Sequence, residues 1–251
     1  MIILITGATS GFGKASAELF ARNGHHLIIT GRRKDRLEKI SKEISSAHQV
    51  KVHTLNFDVR KKTEVDAAID SLPEEWKRID VLINNAGLAS GLSTIQEGDN
   101  NDWEKMIDTN IKGLLYMTRK VAPMMIKEGN GHIINIGSVA GKEVYANGNV
   151  YCATKHAVDA LNKGMRIDLL PHGIKVTGIN PGLAETEFSI VRFQGDAERA
   201  KKVYTGFQPL TAEDIAETIY WVATRPAHVN INDVIITPTA QANSTTVIRK
   251  N

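Results

Sequence analysis

One cysteine, Cys152, serves a chain of 251 residues, which leaves no intrachain disulfide and no CxxC pair for redox work or zinc. That economy suits a reducing cytosol, and a cytoplasmic location is the expectation. Prolines number seven, no Pro/Ser-rich stretch forms a linker, and no fixed-period repeat or low-complexity tract divides the chain. Charge of one sign is also scarce. Lys and Arg number 31 against 28 Asp and Glu, a net charge of +3, too little for a protein whose main partner is nucleic acid or an anionic membrane. No apolar run approaches the roughly 20 residues that cross a bilayer. The opening MIILITGATS has neither the charged region nor the length of a signal peptide. Eight histidines are present, yet none falls in HExxH or another two-ligand helical spacing, so no metal site is expected.

What the chain does have is alternation. Short apolar runs near 2–6, 26–30, 50–56, 79–83, 132–137, 174–179 and 233–236 are separated by longer helix-patterned segments. This pattern predicts an α/β fold in one domain, 1–251: a doubly wound, seven-stranded parallel sheet with helices on both faces. Asn101 with Glu104, and Thr211 with Asp214, read as capping boxes. Pro123 is expected to kink or break the helix that ends before Gly129. The longest stretch without a regular pattern, about 183–211, is expected to be a substrate loop or lid. The polar tail, about 239–251, is expected to fray.

The first strand runs into Thr6-Gly7-Ala8-Thr9-Ser10-Gly11-Phe12-Gly13 and then a helical pattern. Glycines at 7, 11 and 13 let the backbone turn tightly and approach a pyrophosphate, whose charge is favoured by the free N–H groups of a helix start. After the second strand the chain reads Thr30-Gly31-Arg32-Arg33, with no acid to accept from an adenosine ribose. Arg32 or Arg33, or both, can instead bond a 2′-phosphate, so NADP is the expected cofactor. Asp58, before Val59, is placed to accept from an adenine amino group or to form a turn.

Tyr-x-x-x-Lys occurs twice, at Tyr116/Lys120 and at Tyr151/Lys155. Only the second pair follows a strand that delivers a serine, Ser138, to its C-terminal end, where α/β sheets bind ligands. The first lies in an apolar helix and reads as packing plus surface charge. A free tyrosine, with pKa about 10, is poorly matched to proton exchange near neutrality. An ammonium about 4 Å from the phenolate would stabilise it by roughly 4 kcal/mol at an effective dielectric near 20. Ser138 would hold the substrate oxygen. Asn110, a poor helix former inside a helix, either exposes a carbonyl to a water touching Lys155 or is simply tolerated there.

Taken in order, TGATSGFG at 6–13, Asn84-Asn85-Ala86-Gly87, Asn110, Ser138, Tyr151, Lys155 and Pro181-Gly182 make the chain similar to the short-chain dehydrogenase/reductase family over essentially its whole length. The resemblance implies a Rossmann fold, hydride transfer with a nicotinamide cofactor and no metal, and a catalytic set of Asn110, Ser138, Tyr151 and Lys155. It implies cofactor contacts from Gly7, Thr9, Ser10, Gly11, Phe12 and Gly13, and from Arg32, Arg33, Asp58 and Val59. Further contacts are implied from Asn85, Ala86 and Gly87, from Tyr151 and Lys155, with Lys155 also bonding the nicotinamide ribose, and from Pro181, Gly182, Leu183 and Thr186 beside the carboxamide. A homotetramer is implied as well.

Within the family, DWEKMIDTNIKGL, NGNVYCATK, TEFSIVRFQGD and PAHVNIND resemble the NADP-dependent 3-hydroxy acid dehydrogenases, which also oxidise serine and L-allo-threonine and reduce malonic semialdehyde. Lys142 and Glu143 depart from that group by placing two charges after Ser138. Arg192, in the loop beyond Pro181-Gly182, is placed to pair with a substrate carboxylate, or else is a surface arginine. The expected activity is interconversion of a small 3-hydroxy acid or β-hydroxy amino acid and its carbonyl product, with Tyr151 as acid and base. Rival readings are reduction of a 3-ketoacyl thioester on a carrier protein, general carbonyl reduction, and a dinucleotide sensor without catalysis.

Overall fold

The computed structural model describes residues 1–250. Seven strands, β1 (Ile2–Ile5), β2 (His26–Gly31), β3 (Val52–Asn56), β4 (Val81–Asn84), β5 (His132–Ile136), β6 (Lys175–Pro181) and β7 (Asp233–Ile236), form one sheet. Its order is β3-β2-β1-β4-β5-β6-β7, and every neighbouring pair is parallel. Among the described residues, nine α-helices accompany it. They are α1 (Gly11–Arg22), α2 (Lys34–His48), α3 (Lys62–Asp70), α4 (Asn100–Ile107), α5 (Leu114–Glu128), α6 (Asn149–Leu169), α7 (Glu187–Arg192), α8 (Ala197–Lys202) and α9 (Ala212–Ala223). None is long and apolar enough to cross a membrane.

The central strands are largely apolar because their alternate residues enter two different cores. Ile3 and Ile5 pack with Phe20 of α1, Leu37 of α2 and Ile219 of α9. Leu4, between them, packs with Val65 of α3, Met117 of α5 and Val158 of α6. After β3 the chain crosses back to lay β4 on the free side of β1. Strand order reverses there, and the exits of β1 and β4 diverge into a crevice, the place where open α/β sheets take ligands.

Several local expectations need correction. The cap of α4 is Asp99, whose carboxylate accepts from the Asn101 N–H at 2.7 Å; Asn101 itself is already inside the helix. Thr211 and Asp214 do form a capping box. Pro123 does not break α5, which runs on to Glu128, held to the core by buried Met117, Val121 and Met125. Residues 183–211 are not irregular: they carry α7 and α8, and Ala184 bridges Leu210 in parallel. The tail does not fray through Lys250. Gln241 is buried, its amide oxygen accepting from the Leu183 N–H at 2.8 Å, and the Lys250 N–H reaches the Gly206 carbonyl at 2.8 Å. Asn251 lies outside the described residues.

Candidate active site

A cavity of about 650 Å³ opens at the C-terminal ends of the central strands. Of the residues expected to touch the cofactor, all but Gly13 line it, and so do Ser138 and Arg192. Gly13 stands behind the turn. A Cβ there would come within 2.5 Å of both the Gly7 carbonyl oxygen and Asn85 Nδ2, so only glycine lets α1 close against the β4 exit. Gly7 itself has φ +68°, a left-handed conformation that glycine adopts without strain.

The two strand exits are sewn together. Asn85 Nδ2 donates to the carbonyls of Thr6 (2.8 Å) and Gly7 (3.2 Å). The Thr6 hydroxyl accepts from the N–H groups of Asn85 and Ala86 at 3.0 and 2.9 Å. Asn84 Nδ2 donates to Asn135 Oδ1 and Thr118 Oγ1, joining β4 to β5 and α5. Ser10, at the start of α1, makes no side-chain cap, and the first turn of that helix contains no acid. Its free N–H groups and positive dipole end therefore fit an anionic pyrophosphate.

The two arginines behave differently. Arg32 is exposed, its nearest carboxylate being Asp58 at 3.8 Å. Arg33 donates from Nε and Nη2 to Thr9 Oγ1 (3.1 and 2.8 Å), from Nη2 to Ser10 Oγ (2.9 Å) and from Nη1 to Glu187 (2.9 Å). Glu187 also accepts from Arg36 at 2.8 Å. Burial would raise the Glu187 carboxyl, but the two guanidiniums hold it below the usual range. Asp58 follows the same pattern: burial acts upward, and Arg60, bonded to both carboxylate oxygens, brings it down. Its oxygens are thus engaged largely by Arg60.

At the chemical end, β5 delivers Ser138, whose hydroxyl accepts from the Ala140 N–H at 3.1 Å. α6 presents Tyr151 and Lys155 one turn apart. Lys155 donates from Nζ to the Ile136 carbonyl at 2.8 Å, and burial pulls its pKa down to about 8. Burial, with a smaller push from Tyr145, raises the Tyr151 phenol well above its ordinary value; the Ser138 hydroxyl and Arg192 oppose the rise. The Arg192 guanidinium carbon lies 5.5 Å from the Tyr151 ring centre, and the Lys155 ammonium donates to the end of β5.

Asn110 does not line the cavity. It is buried in a π-helical turn, 108–113, that interrupts the usual i→i−4 ladder between α4 and α5. Its side chain accepts from the Leu88 N–H (2.9 Å) and donates to the Leu88 carbonyl (2.8 Å) and Thr154 Oγ1 (3.0 Å). The amide therefore pins the loop after β4 to α6, the helix that carries Tyr151 and Lys155.

Arg192 ends α7 and closes the far wall. Its Nη2 donates to the Tyr145 hydroxyl at 2.7 Å, and its guanidinium lies between the Tyr145 and Tyr151 rings. Among the described residues it forms no ion pair, so an anion in the cavity would be its first charged partner. Phe188, also on α7, packs on Tyr151 with ring centres 5.7 Å apart. Lys142 and Glu143 are turned away. Lys142 bonds Asp159 and Asp233 at 2.6 Å each, and Glu143 accepts from Ser244 in the tail. Tyr116 packs at the edge of a core and Lys120 pairs with Asp70 at 2.8 Å, away from the cavity. Cys152 is fully buried beside Tyr151, and burial raises its thiol.

Tyr145, Glu187, Phe188 and Gln241 line the cavity without having been singled out from the sequence. Tyr145 had one signal, its place between Ser138 and Tyr151. Gln241 had none, since a polar tail reads as solvent-exposed.

Comparison with known proteins agrees with this geometry. The short chain dehydrogenase family model matches residues 1–196. The NADP-dependent 3-hydroxy acid dehydrogenase YdfG of Salmonella typhi is 51% identical over 243 residues, 96% of each chain. Sulfoacetaldehyde reductase 2 of Chromohalobacter salexigens is 48% identical over 242 residues, 96% of this chain and 95% of that protein. The closed form of serine dehydrogenase complexed with NADP+ superposes with a TM-score of 0.94 at 46% identity, covering 100% of both chains.

Proposed function

Because this chain belongs to the short-chain dehydrogenase family, and is as such an NADP-dependent oxidoreductase of CH–OH groups, we propose that its substrates are small molecules with a strong-acid group close to the reacting carbon. Short 3-hydroxy acids and β-hydroxy amino acids such as serine and allo-threonine, with their carbonyl products, are the leading class. The observation that carries this reading is Arg192, a guanidinium that forms no ion pair among the described residues, placed beside the Tyr151 phenol in one cavity. Relatives named for 3-hydroxy acids and for sulfoacetaldehyde share the feature such an arginine would recognise, an anionic group near a hydroxyl or aldehyde carbon.

When bound, the nicotinamide ring supplies or accepts the hydride. In reduction Tyr151, kept protonated by burial, gives its proton to the carbonyl oxygen; in oxidation its phenolate takes the proton from the hydroxyl. Ser138 holds that oxygen by hydrogen bond. Lys155 carries its charge below about pH 8, stabilises the phenolate once the proton has left, and bonds the nicotinamide ribose. Asn110 keeps α6 and the loop after β4 in register. The α1 start receives the pyrophosphate and the arginine corner after β2 receives the 2′-phosphate, with the contacts implied by the family resemblance completing the set.

The same reading takes residues 1–251 as one catalytic domain, 183–211 as its substrate loop and the protein as a cytoplasmic homotetramer. Exposed Ile235 on edge strand β7, Ile167 and Leu170 at the end of α6, and Trp221 on α9 are apolar surface that a second copy would cover. Assay with NADP and NAD against serine, allo-threonine, 3-hydroxypropionate and a neutral alcohol tests the substrate class. Tyr151→Phe should lower kcat by about 10²–10⁴-fold and leave NADPH binding intact; retained turnover would refute the assignment.

A further inference from the structure

We propose that the two adjacent arginines divide their work: Arg32 reads the 2′-phosphate, while Arg33 and Arg36 latch the substrate loop over the cofactor groove through Glu187. The inference rests on the NADP reading above and assigns residues within it.

Arg33 is already committed. Four of its five N–H donors are taken, by Thr9, Ser10 and Glu187. Its guanidinium therefore joins the glycine turn to the first residue of α7, across 154 residues of sequence. Glu187 is held a second time by Arg36 on α2. A phosphate dianion placed on the same edge of Arg33 would face this carboxylate, and like charges at contact distance repel. Arg32 has no such conflict. Its side chain is 58% exposed, and its one carboxylate neighbour, 3.8 Å away, is bonded more closely by Arg60.

What the latch holds matters for the chemistry. α7 begins at Glu187 and carries Phe188 against the Tyr151 ring and Arg192 over it. Fastening its first residue to the cofactor side of the groove sets both side chains at the substrate side. Glu187 is thus a positioning residue. Its loss loosens the lid over either nucleotide, because it reads neither the 2′ position nor the reacting carbon.

The test is a comparison of NADPH and NADH binding, by nucleotide fluorescence, in the wild type, Glu187→Gln and Arg32→Gln. Glu187→Gln should raise both dissociation constants by the same factor, about 3–10-fold for two partly exposed ion pairs. It should raise KM for the hydroxy acid more than it lowers kcat, with the melting temperature unchanged. Added salt should speed NADH release in the wild type and lose that effect in the variant. Arg32→Gln should weaken NADPH about tenfold or more and leave NADH within about twofold. Selective tightening of NADPH in Glu187→Gln, no change in either nucleotide, or equal loss of both in Arg32→Gln would overturn the division. A wild type that binds neither nucleotide would instead bring down the cofactor reading itself.

Discussion

A guanidinium held between two phenol rings keeps its charge uncompensated until an anion arrives, and at Arg192 that arrangement faces the reacting centre. Arg192→Leu should raise KM for carboxylate-bearing substrates by about 10–150-fold, the equivalent of a charged hydrogen bond lost. KM for a neutral alcohol should move by less than about threefold. Equal effects on both would show that the arginine only packs. The substitution also removes a charge that opposes the rise of the Tyr151 phenol, so the pH–rate profile for the neutral alcohol should move toward higher pH. At this scale the sequence was legible where chemistry repeats at short spacing. Tyr151 and Lys155 are one helical turn apart, and Ser138 ends the strand before them. The company of Arg192 was not legible, because it depends on a chain crossing: its partners Tyr145 and Gly91 lie 47 and 101 residues away. The same holds for Arg33, whose neighbours say phosphate while its fold-distant partner Glu187 says latch.

Among the elements, β5 is buried at every residue and begins with a histidine. His132 Nε2 meets Thr177 Oγ1 at 2.8 Å, and that hydroxyl donates to the Ile231 carbonyl at 2.6 Å, which makes the imidazole the donor at Nε2. Among the described residues its Nδ1 has no partner. Burial, with the Lys175 charge adding to it, pulls the imidazole down to about pKa 3. The sign follows. An unfolded histidine takes up a proton near pH 6.5, the folded one not until near pH 3, so the unfolded state binds more protons in between. Stability should fall as pH drops through that window, by about 1.4 kcal/mol per pH unit where only the unfolded imidazole is charged. Urea midpoints of the wild type and His132→Gln from pH 7 to pH 4 measure this, and the variant should show the shallower slope; parallel slopes would remove His132 as the cause. Periodicity revealed all seven strands within about two residues of their observed limits, since each carries a short run rich in apolar β-branched and leucine residues. Helix punctuation was less legible. Asp99 outcompeted Asn101 for the α4 cap, tertiary packing carried α5 through Pro123, and α7 and α8 are six residues each, too short to show a period.

For the molecule as a whole, alternation announced a parallel sheet with two helical layers, but not the order of its strands, which is decided by which side of β1 receives β4. That one choice creates the groove. Its walls come from the turn after β1, the exits of β4, β5 and β6, the start of α6, the loop with α7, and Gln241 in the tail. No unfolded chain gathers these groups, so a ligand of the groove binds the folded state alone and stabilises it by mass action. At a concentration of 100 times its dissociation constant, NADP should contribute about 2.7 kcal/mol. For a domain of this size that corresponds to a rise in melting temperature of roughly 5–10 °C. NAD at the same concentration lacks the 2′-phosphate that Arg32 would hold, and should raise the melting temperature by clearly less. The difference between the two nucleotides should shrink in Arg32→Gln and persist in Glu187→Gln, where both shifts diminish together. Thermal melts of the three proteins with each nucleotide decide it. Equal shifts from NADP and NAD in the wild type would mean that the exposed corner at Arg32 reads no phosphate.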